Sequence, residues 1–252
     1  MKKLFFLLLV TFFLLNACQQ DQNQILIKGN LSNVTNNKLY LAVITPDGIT
    51  TIDSGKIKNG HFEFKIKAHS KEEEAKLKDP VFYQLYFTPY NALTTLAKEG
   101  DVQVIQADAQ NLAASYTITG SEDAKLLWEL EHSLTTFIQY TDSLQKIYNF
   151  YIENDSVRTE IEASYNQIVE KHTDYLRKFI EKNNGSFASI TAFYQTYNKK
   201  SFFDEEKDIP LLKYIASHLE KKYTHNENVN YLKKRIEIAE MRKNYYLCQP
   251  KK

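Results

Sequence analysis

The sequence predicts an α+β protein, with an N-terminal antiparallel β-sandwich or partly open barrel followed by an α-helical region. Up to residue 120, short apolar segments alternate with polar residues and are separated by turn-forming residues, as in antiparallel sheets. From residue 121, apolar residues recur every three or four positions over long runs, as in amphipathic helices. The chain has only 7 glycines in 252 residues, too few for an all-β protein with many tight turns, so we expect helix to occupy much of it.

Eight strands are predicted in the first half, and the clearest alternates Phe62, Phe64 and Ile66 with charged residues. Thr45-Pro46-Asp47-Gly48 predicts a turn, and Asn59-Gly60 predicts a tight primed turn because both residues tolerate positive φ. Residues 71–78 are predicted to form a solvated loop or one helical turn. The predicted strands cover residues 25–28, 39–44, 50–52, 62–66, 81–87, 93–97, 102–105 and 116–118.

Five helical segments are predicted in the second half. Ser121 can cap the first, because its side chain can accept a bond from an early backbone N–H. Gly185 would end the second in a left-handed cap, and Pro210 is tolerated in the first turn of the fourth. Apolar stripes of this kind predict packing seams rather than a cofactor site. The predicted segments cover residues 122–151, 157–184, 186–197, 209–223 and 227–243.

The N-terminus predicts a lipoprotein signal. Lys2 and Lys3 precede an apolar run, residues 4–15, that is too short for a membrane span of ~20 residues. Leu15-Asn16-Ala17-Cys18 resembles the lipobox of bacterial lipoproteins, in which the cysteine is acylated and the signal is cut just before it. We therefore predict a signal peptide over residues 1–17, acyl chains on Cys18 that hold the protein on a membrane, and a flexible tether over residues 18–24. The alternative is an ordinary signal peptide with an incidental cysteine.

Charge and cysteine content narrow the function further. The formal net charge is +1, and loss of Lys2 and Lys3 with the signal would leave 30 basic against 31 acidic residues, so we expect no nucleic-acid partner. With Cys18 acylated, Cys248 remains as a single candidate free thiol and no intramolecular disulfide can form. Nearby lysines would favour its thiolate, although an unremarkable tail cysteine is the alternative.

Catalytic and metal-binding patterns are absent from the sequence. No histidine pair has i, i+4 spacing, and no Cys/His cluster has metal-ligand spacing. His172 falls in an apolar stripe and is predicted to be a satisfied core or edge histidine. Glu72-Glu73-Glu74 lacks the glycine and alternating oxygen ligands of a calcium loop. Phosphate-binding glycine loops and a Gly-x-Ser-x-Gly nucleophile elbow are also missing, so we predict no enzyme, no cofactor and no metal. The histidines are His61, His69, His132, His172, His218 and His225.

Short motifs in the first half carry a family resemblance. In order, they are Ile25-x-Ile27-x-Gly29, Lys38-Leu39-Tyr40-Leu41, Ile52-Asp53-Ser54, Ile57-x-Asn59-Gly60-x-Phe62-x-Phe64 and Ile118-Thr119-Gly120-Ser121. They resemble the N-terminal β domain, of unknown function, of envelope lipoproteins of Gram-negative bacteria. In that family a helical linker follows, and then usually a thioredoxin-like domain of the thiol-disulfide oxidoreductase or peroxiredoxin-like type.

The resemblance implies a β domain over residues 25–120, a helical region over 121–246 and a tail over 247–252. The family's usual Trp-Cys-x-x-Cys pair has no counterpart, since Trp128 lies in the first predicted helix and the sequence contains no Cys-x-x-Cys. We therefore expect the thioredoxin-like domain, and its redox activity, to be missing from this chain.

The leading functional hypothesis is a non-enzymatic, lipid-anchored cell-envelope protein that acts as an interaction or positioning module. One alternative is an accessory to a thioredoxin-like thiol-disulfide exchange system, with that protein as partner. Another is a surface lipoprotein that binds glycans or peptides, for which the 17 tyrosines would supply stacking platforms. Gln19 follows Cys18 where an aspartate would mark inner-membrane retention, so the resemblance implies the outer membrane, facing the periplasm or the cell surface.

Overall fold

The computed structural model describes residues 23–247 and confirms the α+β fold, with β-sheets first and a helical region after them. The strands are β1 (Gln24–Ser32), β2 (Lys38–Thr45), β3 (Gly48–Lys56), β4 (His61–Lys67), β5 (Val81–Thr88), β6 (Asn91–Ala97), β7 (Val102–Asp108), β8 (Thr117–Thr119), β9 (Thr196–Tyr197) and β10 (Lys200–Ser201). The helices are α1 (Lys71–Leu77), α2 (Leu112–Ser115), α3 (Glu122–Phe150), α4 (Asp155–Lys182), α5 (Ala188–Phe193), α6 (Ile209–Lys222) and α7 (Glu227–Leu247).

Two four-stranded sheets pack face to face as a sandwich. The first sheet has the order β4-β1-β7-β8 and the second has the order β3-β2-β5-β6. Side chains of both sheets enter one shared core, where Ile27, Leu41, Phe64 and Leu85 are almost fully buried, whereas β3 at the edge of the second sheet is largely exposed. The pairing of β1 with β7 is parallel, so the first sheet is mixed, while the strands of the second sheet are all antiparallel.

Glycine and asparagine make two tight features of the first sheet possible. A Cβ atom on Gly29 of β1 would lie 1.9 Å from the Ile105 carbonyl oxygen of β7, so the parallel pair can approach only because this side chain is missing. Asn59 and Gly60 have φ values of 50° and 82°, which confirms the predicted turn before β4.

A buried polar contact joins the two sheets. Gln103 of β7 is fully buried and donates from Nε2 to the Leu96 carbonyl oxygen of β6 at 2.6 Å. Its Oε1 accepts the hydroxyl of Thr95, also fully buried, at 2.9 Å. The amide thus satisfies groups of the opposite sheet that would otherwise lack partners in the core.

The helical region covers part of the outer face of the second sheet. Ser121 caps α3, as predicted, and α3 and α4 form a long antiparallel hairpin. A second hydrophobic core unites the helices with Leu96 of β6, and Phe82 of β5 packs against it. Within residues 23–247, no helix combines the length and the apolar character that a membrane span requires.

The helical region differs from the prediction in two places. The segment predicted as helix over residues 186–197 has only the six-residue α5, because Gln195 turns its amide into the core and Asn198 and Lys199 take positive φ values that form the β9–β10 turn. Gly185 does not adopt a left-handed cap. Instead α4 ends at Lys182, and the side chain of Asn183 donates to the Phe179 carbonyl oxygen.

Candidate functional site

The two cysteines singled out by the sequence lie outside the described residues. Lipidation of Cys18 and a free thiol at Cys248 therefore stay predictions. The accessory role in thiol-disulfide exchange depends on Cys248, so it stays a prediction as well.

The histidines do not converge on one site. Within residues 23–247, no group of three or more His, Cys, Asp or Glu side chains has a geometry suited to a metal ion. His172 is buried among the rings of Phe137 and Phe202, with each centroid 4.7 Å away. Because the Gln195 amide donates to the Leu130 carbonyl, its oxygen accepts from the His172 Nε2–H at 2.7 Å. Burial lowers the pKa of His172, as expected for a neutral core histidine.

An apolar groove opens at one end of the sandwich, and it is the candidate functional site. Its volume is about 870 Å³, within the range of small-ligand sites. The lining comes from β2, β3, β4 and β5, from α1, and from the segment that leads into α7. The floor of this mouth groove is formed by buried or partly buried side chains, namely Leu41, Val43, Ile66, Val81 and Tyr83.

The wall formed by α1 is locally encoded. The Ser70 hydroxyl accepts from the Glu73 backbone N–H at 3.2 Å, and the Glu73 carboxylate accepts from the His69 N–H at 2.6 Å. Ser70 followed three residues later by Glu73 is a capping-box pattern, and this signal could have predicted α1 in place of the expected loop or single turn. The α1 side chains are largely solvated, as predicted for this segment.

Long-range contacts hold the other groove walls in place. The Asn226 side chain accepts from the Asn228 N–H at 2.9 Å and so caps α7. The same amide donates to the Asp79 carboxylate at 3.0 Å, which ties the start of α7 to the segment after α1. The Glu99 N–H donates to the Leu77 carbonyl at 2.7 Å and fixes the end of α1 against the sandwich.

Tyr83 places a polar group within the apolar floor. Its side chain is only 1% exposed, and within the described residues its hydroxyl forms no hydrogen bond. Burial raises its pKa, so the hydroxyl stays neutral and can both donate and accept. Because the hydroxyl lines the groove and has no protein partner among the described residues, it can bond a polar group of a ligand.

Charged groups surround the apolar floor with an excess of negative charge. The lining includes the carboxylates of Asp53, Glu72, Glu73, Asp79 and Glu227 and the ammonium groups of Lys65, Lys67 and Lys76. Among the described residues, Lys65 pairs with Glu63 at 2.8 Å and Lys76 pairs with Glu72 at 3.2 Å. His69 and His225 also lie at this rim.

The carboxyl with the most perturbed pKa lies away from the groove. Burial raises the pKa of Glu131 in α3 to about 7, although the Tyr116 hydroxyl, which donates to it at 2.6 Å, opposes the shift. Trp128 donates from its indole nitrogen to the Tyr116 carbonyl at 2.7 Å, so both contacts fasten α3 to the segment before β8. Sequence reasoning missed Glu131, because nothing in its spacing reveals burial. We assign this carboxyl to the structure of the interface.

The outer face of the second sheet carries a tyrosine pair. The rings of Tyr40 and Tyr86 stack at 5.3 Å, and the Tyr86 hydroxyl lies 2.6 Å from the Thr51 hydroxyl. Both rings are half-buried. The glycan hypothesis requires an exposed row of tyrosines, whereas the described strands carry only this half-buried pair on the outer face. The groove therefore gives stronger support for an apolar ligand than this face gives for a glycan.

Comparison with known proteins finds similarity for the β half. No curated protein and no solved structure matches the chain significantly. Residues 25–127, however, match the model of a family described as a domain of unknown function (DUF4369). The match spans β1 to β8 and the first turns of α3, where Ala124 packs into the sandwich core. The part of the chain that builds most of the mouth groove is therefore similar to this domain of unknown function.

Proposed function

We propose that this chain is a non-enzymatic, lipid-anchored cell-envelope protein that binds its ligand or partner in the mouth groove. Cys18 would carry the acyl chains and hold the body at the outer membrane, on its periplasmic side or at the cell surface. The observation that carries the proposal is an apolar groove of about 870 Å³ with the unpartnered Tyr83 hydroxyl in its floor.

The contacts of the rim favour binding over catalysis. Glu73 and Asp79 use their carboxylates to hold α1 and α7, through His69 and Asn226. These acceptors are committed to the walls of the groove rather than aimed at a reacting centre. A site that binds a ligand typically has an apolar floor, a few polar contacts and preformed walls, and the mouth groove has these features.

The binding test uses Nile red, a neutral apolar fluorophore, and the chain from residue 18 with Cys18→Ser. We expect saturable binding by the parent chain and loss of binding in Ala75→Trp. Ala75 is an exposed residue of α1 that lines the groove, so a tryptophan side chain at this position would fill the groove. Ala163→Trp is the matched control, because Ala163 is an exposed helical alanine of α4 that does not line the groove. Binding that survives Ala75→Trp, or no saturable binding by the parent, would refute the site.

The anchor is tested separately in cells that process lipoproteins. We expect the full-length chain to incorporate an alkyne-tagged fatty acid and to fractionate with membranes. Cys18→Ser should lose the label, whereas Cys248→Ser should keep it. Labelling that persists in Cys18→Ser would contradict the predicted anchor.

A further inference from the structure

The mouth groove lies at the end of the sandwich where the described chain begins. Gln24, the first residue of β1, pairs with Lys67 of β4, which lines the groove. The Gly100 N–H donates to the Gln24 carbonyl at 3.0 Å, and the preceding residue, Glu99, donates to Leu77 in the groove wall. The start of β1 and the wall α1 are thus joined through two adjacent peptide groups.

This position fixes how far the groove can lie from the predicted anchor. Cys18 precedes Gln24 by six residues, and a fully extended chain spans at most ~3.3–3.6 Å per residue, so the tether reaches about 20 Å. An acylated Cys18 would hold the groove within that distance of the membrane surface.

From this juxtaposition we infer that the groove takes up a single-chain amphiphile with a cationic head from the membrane that holds the anchor. The inference rests on the proposed function and names its ligand class. The apolar floor of Leu41, Val43 and Ile66 suits one alkyl chain, and the volume of about 870 Å³ suits a ligand of that size. The Tyr83 hydroxyl offers a hydrogen bond to a polar group that enters the groove.

The charge of the ligand's head group is inferred from the charged side chains that line the groove. Five carboxylates line the groove against three ammonium groups, and within residues 23–247 Asp53, Glu73, Asp79 and Glu227 form no ion pair. The N-terminus of α7 carries a partial positive charge, but Glu227 in its first turn offsets it. A quaternary ammonium is therefore attracted, and a carboxylate head is repelled.

The affinity test compares alkyltrimethylammonium ions with alkyl carboxylates of 8, 10 and 12 carbons, all below their micelle concentrations. Displacement of Nile red from the Cys18→Ser chain reports binding. We expect the cations to bind at least about tenfold tighter than carboxylates of equal length, with a gain of up to about fourfold for each added methylene. Ala75→Trp should abolish binding of both series.

Charge variants test the rim directly. Asp53→Asn with Glu227→Gln should remove most of the preference for cations, whereas Asp142→Asn with Glu160→Gln, on the exposed α3–α4 hairpin, should leave it unchanged. Saturable Nile red binding with no preference between the series would overturn the inference and leave the proposed function standing. Tighter displacement by a short Leu- and Lys-rich peptide than by any amphiphile would overturn it too, in favour of a peptide ligand.

The membrane source is tested with the acylated protein on vesicles of phosphatidylethanolamine and phosphatidylglycerol that contain a pyrene-labelled alkyltrimethylammonium ion. We expect faster uptake of the probe by the anchored protein than by the Cys18→Ser chain added from solution. Equal rates of uptake would refute the membrane as the source. Ala75→Trp in the anchored form should show no uptake.

Discussion

Glu131 gives the sharpest prediction about pH and stability. Burial raises its pKa to about 7 in the folded protein, against an ordinary value of 4.5. Between these two pH values the folded state keeps a proton that the unfolded chain has released. The contribution of Glu131 to the free energy of unfolding is therefore fully present below about pH 4.5, and it is lost as the pH rises through about 7.

The size of this effect follows from the shift. Each pKa unit corresponds to about 1.4 kcal/mol, so the shift sets an upper bound of about 3 kcal/mol. Glu131 keeps some solvent exposure, which reduces the expected loss to about 2 kcal/mol between pH 5 and pH 8. Glu131→Gln removes the titration but keeps an oxygen that can accept from the Tyr116 hydroxyl.

Urea unfolding at pH 5, 6, 7 and 8 measures the difference between Glu131→Gln and the parent chain. That difference should move in favour of the variant by about 2 kcal/mol as the pH rises. Glu129→Gln is the matched control, because Glu129 lies on the same helix with a side chain 41% exposed and is paired with Lys125 at 3.8 Å. A difference for Glu131→Gln that stays constant with pH would show that the carboxyl is not the buried acid described here.

Three further predictions concern the core. Gly29→Ala should lower the free energy of unfolding by at least about 3 kcal/mol, because its Cβ would collide with the Ile105 carbonyl oxygen. Gly48→Ala should lower it by less in the same denaturation assay, because nothing lies within 4 Å of that Cβ and only the positive φ opposes the change. Gln103→Leu should cost about 2–3 kcal/mol, because it strands the Thr95 hydroxyl and the Leu96 carbonyl, and Thr95→Val in the same background should recover part of that loss in a double-mutant cycle. His172→Phe should reduce the loss of stability on acidification from pH 7 to pH 5. The reason is that a histidine whose pKa is lowered by folding takes up its proton more readily in the unfolded chain as the pH falls through 6.5. An unchanged dependence of the free energy of unfolding on pH in this range would contradict the prediction.

Local signals account for the parts of the fold that the sequence predicts correctly. Alternation in β4, the Asn59-Gly60 turn and the Ser121 cap are each set by residues within a few positions of one another. The parallel pairing of β1 with β7 brings together residues about 75 positions apart, and no local pattern distinguishes it from an antiparallel pair.

The groove was not predicted from the sequence, because it too depends on contacts between residues far apart in the chain. Its α1 wall had a local signal in Ser70 and Glu73, but its other wall depends on the contact of Asp79 with Asn226, which are 147 residues apart. Tyr83 reads as one more apolar strand residue, and only the folded chain shows that its hydroxyl lines the groove without a partner among the described residues. Burial and long-range contact, rather than residue type, define this site.

The far end of the α3–α4 hairpin shows where apolar residues contribute little to folding. The Ser121 hydroxyl at the start of α3 donates to the Asp101 carboxylate, next to Gly100 and the start of β1, so α3 begins at the end of the sandwich where β1 begins. With 29 residues at 1.5 Å each, its other end lies about 40 Å away, where Phe150 is 80% exposed.

Phe150→Ser should therefore change the free energy of unfolding by less than about 0.5 kcal/mol, as expected for an exposed site. Phe137 lies on the same helix but is 3% exposed and touches the rings of His172, Tyr197 and Phe202, so Phe137→Ser should cost at least about 3 kcal/mol. Chemical denaturation of the two variants beside the parent chain measures both values. Comparable losses would mean that the hairpin tip is packed in solution, whereas a near-zero cost for Phe150→Ser leaves its aromatic ring without a role in the stability of the isolated chain.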